Sequence, residues 1–183
     1  FIHVAEQCGL IQPLTRWVVN HAVEQCARWR RAGYQFDVSV NLSVMNLHEP
    51  DFVDYVMQPL QRWQAQPSWL ALELTESAVM SDPNHALEML SRLDAMGVRI
   101  SIDDFGTGYS SLAYLKRLPV DEIKIDRSFV IDMKLDNNDA VIVRSTIDLA
   151  HNMSLRVVAE GVENPETLRL LTALGCDVVQ GFF

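Results

Sequence analysis

A chain of 183 residues, 49% of them hydrophobic, is one domain, or most of one, with ample material for a core. Its net charge of −9 argues against a DNA or RNA polymer held on a basic patch, so a phosphate-bearing ligand needs metal ions or a few local cations. No apolar run approaches the length of a membrane span. Cys8, Cys26 and Cys176 are widely spaced, odd in number and without CxxC or Cys/His spacing. That usage points to a reducing compartment, to no structural zinc, and to thiols that serve as small buried hydrophobes. The chain opens at Phe1-Ile2-His3 with neither an initiator Met nor a signal-peptide pattern, and is expected to be a piece of a longer protein.

Leu14 to Arg31 has the period of an amphipathic helix, with Trp17, Val18, His21, Ala22, Gln25 and Trp29 on one face and Gly33 as its stop. Phe36 to Leu42 alternates and then turns apolar, a strand ending near Asn41. Asp51 to Trp63 predicts a helix with Phe52, Val56 and Leu60 inside, and Trp69 to Leu74 a strand closing on Glu73-Leu74-Thr75-Glu76. Ser81-Asp82-Pro83 opens the next helix with a capping residue and a proline in the first turn. Leu87, Leu90, Leu93 and Met96 are its expected buried stripe, and Gly97 ends it. Val98 to Ile102 is a strand, Ser110 to Leu118 a short helix stopped by Pro119, and Glu122 to Ile125 a brief strand. Asp136-Asn137-Asn138-Asp139 is a polar turn before a helix from Ala140 to His151, with Ile142, Ile147 and Leu149 inside. Leu155 to Ala159 is a strand. Asn164-Pro165 caps a helix carrying Leu168, Leu171 and Leu174, which Gly175 stops, and Val178-Val179 begins the last strand. Strict alternation of this kind implies a parallel sheet in a single domain, closed as a barrel or open and doubly wound.

The stretch Ser101-Ile102-Asp103-Asp104-Phe105-Gly106-Thr107-Gly108 organises the rest. Successive side chains of a strand point to opposite faces. Asp103 and Asp104 therefore reach inward together only where the strand has ended and the backbone turns, as Gly106 and Gly108 permit. Adjacent carboxylates repel unless something positive sits between them, and a divalent metal is the usual solution.

Polar residues also stand at the ends of the other inferred strands: Asn41, Glu73, Lys124, Glu160 and Gln180. In a (β/α)8 barrel all such ends converge on one mouth, whereas an open sheet gathers ligands at a single switch point. The barrel is the better reading. Amide and carboxylate oxygens without clustered Cys or His suit Mg²⁺ or Mn²⁺ rather than zinc. Two such ions steady an in-line phosphoryl displacement. Lys124 adds a point charge for a phosphate oxygen or an attacking water, or else pairs with Asp121 or Asp126.

These residues carry a resemblance. NLS at 41–43, ELTES at 73–77, DDFGTGYSSLAYLKRLPVDEIKID at 103–126, AEGVE at 159–163 and GCDVVQGFF at 175–183 resemble the EAL domain, a family of bacterial cyclic di-GMP phosphodiesterases. The resemblance runs from Phe1-Ile2 to the last residue and implies a TIM-like (β/α)8 barrel of the EAL type, an α/β fold with about six of its eight strands in this chain. It implies Mg²⁺- or Mn²⁺-dependent opening of cyclic di-GMP to linear pGpG. By position, Asn41, Glu73, Asp103, Asp104 and Glu160 resemble metal ligands, with Asp104 on the second ion. Lys124 matches the lysine that binds the catalytic water, and Glu160 a catalytic glutamate. Glu76 resembles the glutamate that anchors the loop after Asp103-Asp104, a loop tied to dimerisation, so a homodimer is expected. Glu163 and Gln180 match further active-site positions. His3 stands where the family usually has proline.

The resemblance further implies a single domain over 1–183 whose Glu-Ala-Leu segment lies upstream of Phe1, with an extreme C-terminus beyond Phe183. That segment carries a metal ligand, so this length is expected to be weakly active or inactive. A cytoplasmic domain fused to sensory or GGDEF domains is the expected setting. The alternative is a domain that binds cyclic di-GMP as a receptor without turnover.

Overall fold

Strand and helix alternate along the chain as the hydrophobic periods predict. The structure, a computed structural model, describes residues 1–108, 112–131, 133 and 137–182. It falls into two units, the first made of Phe1–Leu74 with Ala78–Ile100, the second of Thr75–Ser77 with Ser101–Phe183.

In the first unit come α1 (Ile2–Gln7), α2 (Ile11–Arg31), β1 (Val38–Leu42), α3 (Val44–Leu47), α4 (Phe52–Trp63) and, after a 3-10 turn over Pro67–Trp69, β2 (Leu70–Thr75). Then follow α5 (Glu76–Ser81), whose first two residues, like Thr75, belong to the second unit, and α6 (Pro83–Ala95). β1 and β2 are parallel, and their register sets Asn41 opposite Glu73 and Leu42 opposite Leu74. α4 buries Phe52, Val56 and Leu60 as its spacing predicts. Asp82 caps α6 by accepting a hydrogen bond from the His85 N–H at 3.3 Å, with Pro83 in the first turn.

α2 buries a different face from the expected one. Ile11, Thr15, Val19, Val23, Cys26 and Ala27 are inside, whereas Trp17 is 59% exposed. The reason is steric: small and β-branched side chains let α2 approach α4 and β1 closely. The aromatics find partners on the outside, Trp17 stacking on His21 at 4.0 Å and Trp29 edge-on to Phe36 at 5.8 Å. In α6 the buried set is Ala86, Met89, Leu90 and Leu93, with Leu87 and Met96 only half-buried.

The second unit takes β3 (Arg99–Phe105) from Ser101 onward, then α7 (Leu112–Leu115), β4 (Glu122–Ile125), α8 (Arg127–Ile131), α9 (Asn137–Asn152), β5 (Arg156–Glu160), α10 (Pro165–Ala173) and β6 (Val178–Gln180). β3 pairs with β4, β4 with β5 and β5 with β6, all parallel. The ends of these strands therefore lie along one edge. α9 packs on β4 and β5 through Val143, Thr146, Ile147 and Ala150, while Ile142 faces out. The Asn164 side chain caps α10 by accepting from the Thr167 N–H at 2.9 Å. Leu171 is buried, and Leu168 and Leu174 are half-buried.

The polar turn expected before α9 is partly helical, since α9 begins at Asn137, and Asp136 lies outside the described residues. So do Ser110 and Ser111 of the helix expected there. Of the cysteines only Cys26 is buried; Cys176 is half-buried and Cys8 exposed. No described helix is long and apolar enough to cross a membrane.

Candidate active site

β3 does not stop before its acidic pair. Ile102 pairs with Ile123 and Phe105 with Ile125, so Asp103 and Asp104 together oppose the single residue Lys124. One extra residue on one strand is a β-bulge. Asp104 takes the left-handed conformation, φ +53°, which aspartate tolerates better than most side chains. Its N–H donates to Asp103 Oδ1 at 3.0 Å. The bulge thus brings neighbouring carboxylates together inside a strand, where the sequence predicts that the strand must first end. Gly106 follows at φ +100°, as expected. Gly108 has no positive φ and serves another purpose: a Cβ there would lie 2.7 Å from Glu76 Oε1.

Lys124 bridges two acids. Its ammonium lies 3.2 Å from Asp103 Oδ2 and 2.6 Å from Glu160 Oε1, and its side chain is only 5% exposed. Asp103, Asp104 and Glu160 each offer an oxygen within 4.8 Å of the others. Asp126 joins them through a hydrogen bond with Asp104. Burial, then the charge of Asp103, pushes the Asp104 carboxyl above the ordinary range, and the bond to Asp126 adds to this. Burial also pushes Asp126 up, but it ends below the ordinary range. The Ser128 hydroxyl and N–H, the latter at 2.8 Å, and the bond from Asp104 outweigh that push. The two carboxyl groups are thus driven apart, Asp104 upward and Asp126 downward, in a cluster whose acids outnumber Lys124. Oxygen-only donors this close, with an excess of negative charge, fit a hard divalent cation.

Glu76, 3% exposed, accepts from the Gly106 N–H through Oε2 at 2.9 Å. Its Oε1 is buried without a hydrogen-bond partner among the described residues. It ties the loop after the acidic pair to the start of α5. Gln180 pairs in register with Glu160, and its carbonyl accepts from the Val162 N–H at 3.1 Å. The side chains of Gln180 and Glu163 are exposed. In the first unit Asn41 is exposed and Glu73, opposite it, is 9% exposed.

Within the second unit, then, Asp103, Asp104, Lys124 and Glu160 come together. Asp126 is the member that residue spacing leaves out, although its place two residues after Lys124, on the same side of an extended chain, is a signal for it.

The model of the EAL domain matches residues 1–183. The chain belongs to the EAL domain family. Its fold class is accordingly the α/β, TIM-like barrel of the EAL type, and six of its strands are present among the described residues. This EAL chain is 46% identical over 183 residues to the bifunctional diguanylate cyclase/cyclic di-GMP phosphodiesterase MucR of Pseudomonas aeruginosa, covering all of itself and 27% of MucR. It is 42% identical over 183 residues to the signaling protein YkoW of Bacillus subtilis, covering 23% of that protein. It thus spans about a quarter of the length of these curated relatives. The solved PaMucR phosphodiesterase in complex with c-di-GMP matches it with a TM-score of 0.96 and 46% identity, over 100% of this chain and 74% of that one.

Proposed function

We propose that this EAL domain hydrolyses cyclic di-GMP to linear pGpG with the help of divalent metal ions. The observation that carries the reading is the set of Asp103, Asp104 and Glu160 oxygens gathered around Lys124. The bound cyclic di-GMP of the PaMucR phosphodiesterase supplies the substrate class.

Asp103, Asp104 and Glu160 would hold a divalent ion in the second unit, and Asn41 and Glu73, which resemble metal-ligand positions, are proposed as ligands in the first. Mg²⁺ or Mn²⁺ bound by such oxygens would lend Lewis acidity to the phosphodiester. Lys124 keeps Asp103 and Glu160 in place and puts its positive charge beside the position of a phosphate oxygen or the attacking water. Glu160, 18% exposed beside that ammonium, takes the proton from the water as it attacks phosphorus. The bond from phosphorus to the 3′-oxygen then breaks, and that oxygen takes a proton from water to leave as the free 3′-hydroxyl of pGpG, the phosphate staying on the 5′-oxygen. Glu76 holds the loop that carries the acidic pair. Glu163 and Gln180 line the substrate. We place the domain in the cytoplasm of a bacterium, as a homodimer fused to sensory or GGDEF domains; that MucR is named a bifunctional diguanylate cyclase/cyclic di-GMP phosphodiesterase supports a second, cyclase activity in the same chain.

The test is incubation of the full-length protein that carries this domain with cyclic di-GMP and Mn²⁺, with separation of the products. Linear pGpG from the unmutated protein, and none from Asp103→Asn, is expected. Persistent binding without pGpG in either would make the domain a receptor.

A further inference from the structure

A buried polar network stands behind the turn that follows Asn41, within the first unit. Asn46, in α3, is fully buried. Its Oδ1 accepts from the Ser43 N–H at 3.1 Å and from the Thr15 hydroxyl at 3.0 Å. Its amide donates to Glu49 Oε1 at 2.6 Å. Glu49, 7% exposed, accepts through Oε2 from Arg16 Nε at 2.9 Å and Nη2 at 2.7 Å. Ser43 in turn donates to Glu6 Oε1 at 2.7 Å. Helices α1, α2 and α3 are thereby all tied to Ser43, two residues after Asn41.

Such a network is an expensive way to fill space. A buried charge pair loses its hydration, and apolar side chains of similar volume often give equal or greater stability. What a satisfied network adds is a single geometry. Here that geometry is the path of the chain out of β1, since Asn46 and Ser43 form a reciprocal cap with Ser43 extended at φ −76°, ψ 153°. Leu42, between Asn41 and Ser43, is buried. The Asn41 side chain itself has no hydrogen-bond partner among the described residues. Its aim is therefore inherited from its backbone, held on one side by the register with Glu73 and on the other by the cap.

We infer that Asn46, braced by Thr15 and Glu49, is a positioning residue that sets the aim of Asn41 toward a divalent cation. The inference rests on the reading of Asn41 as a metal ligand, and the experiment separates the two. Mn²⁺ alone is titrated by calorimetry into the unmutated protein and into Asn41→Ala, Asn46→Ala, Thr15→Val and Val56→Ala. Val56 is a fully buried core residue of α4 and reports ordinary loss of packing. Asn41→Ala and Asn46→Ala are each expected to weaken Mn²⁺ binding about 10-fold or more, as loss of a ligand or of its support does. Thr15→Val, nearly isosteric, is expected to cause a smaller loss, and Val56→Ala none. Thr15→Val carries the test if Asn46→Ala does not fold. Unchanged binding in Asn46→Ala and Thr15→Val, with a loss in Asn41→Ala, overturns the positioning role alone. Unchanged binding in Asn41→Ala overturns the ligand reading and the inference with it. An equal loss in Val56→Ala reduces the effect to general destabilisation and overturns the inference.

Discussion

Replacing Lys124 by methionine removes the cation between two half-buried carboxylates and keeps most of the volume. At an effective dielectric constant of about 20, Coulomb's law gives about 6 kcal/mol for the 2.6 Å contact with Glu160 and about 5 kcal/mol for the 3.2 Å contact with Asp103. Desolvation of all three groups offsets much of this sum. Asp103 and Glu160 keep some contact with water, so the net cost of leaving them unpaired falls below the about 3–5 kcal/mol of a fully buried pair. Lys124→Met is therefore expected to unfold at markedly lower urea concentration at pH 7 without metal. Mn²⁺, which replaces the missing positive charge, should return much of the loss. The assay is urea denaturation followed by circular dichroism at pH 7, with and without Mn²⁺. A variant as stable as the unmutated protein at pH 7 without metal would refute the electrostatic account of this cluster. So would a loss that Mn²⁺ does not reduce.

Gly108→Ala places a Cβ 2.7 Å from Glu76 Oε1 and 3.1 Å from its carboxyl carbon, forcing the carboxylate off the Gly106 N–H. A hydrogen bond to a charged group is worth about 1.5–3 kcal/mol, and denaturant unfolding should show a loss of that order. Asp104 is raised by burial first, then by Asp103, so the stability linked to its proton is present at low pH and lost as pH rises through its folded pKa. Asp104→Asn is thus expected to be more stable than the unmutated protein at neutral pH without metal, with the gain gone in acid, and to bind Mn²⁺ more weakly by calorimetry. Asp126 is shifted down, so its contribution is present above the ordinary carboxylate range and lost as pH falls through its folded pKa. Asp126→Asn should accordingly lose stability at pH 7 and match the unmutated protein in strong acid, as paired urea titrations would show.

The strands were legible because each is a short apolar run closed by a glycine or proline signal, as with Gly97 before β3 and Asn164-Pro165 after β5. So were the residues at their ends, because Lys124 and Glu160 interrupt apolar runs that have no other use for charge. The buried face of α2 was not legible. Hydrophobicity marks Trp17 and Trp29 as strongly as Val19 and Val23, and only the closeness of α4 and β1 selects the smaller side chains. α3, α5 and α8 are four, six and five residues long, too short to display a helical period. The bulge at Asp103-Asp104 escaped because it is a property of two strands: the extra residue is visible only against the register of β4. Asp126 escaped for a related reason, since its bond with Asp104 joins residues from β3 and from the turn after β4.

The most direct test of the central claim is the product analysis of cyclic di-GMP incubated with Mn²⁺ and the protein carrying this domain, set beside Asp103→Asn. Linear pGpG that accumulates with the unmutated protein, needs Mn²⁺ and disappears in the variant is the predicted result. Intact cyclic di-GMP after incubation with a folded, ligand-binding protein would contradict it.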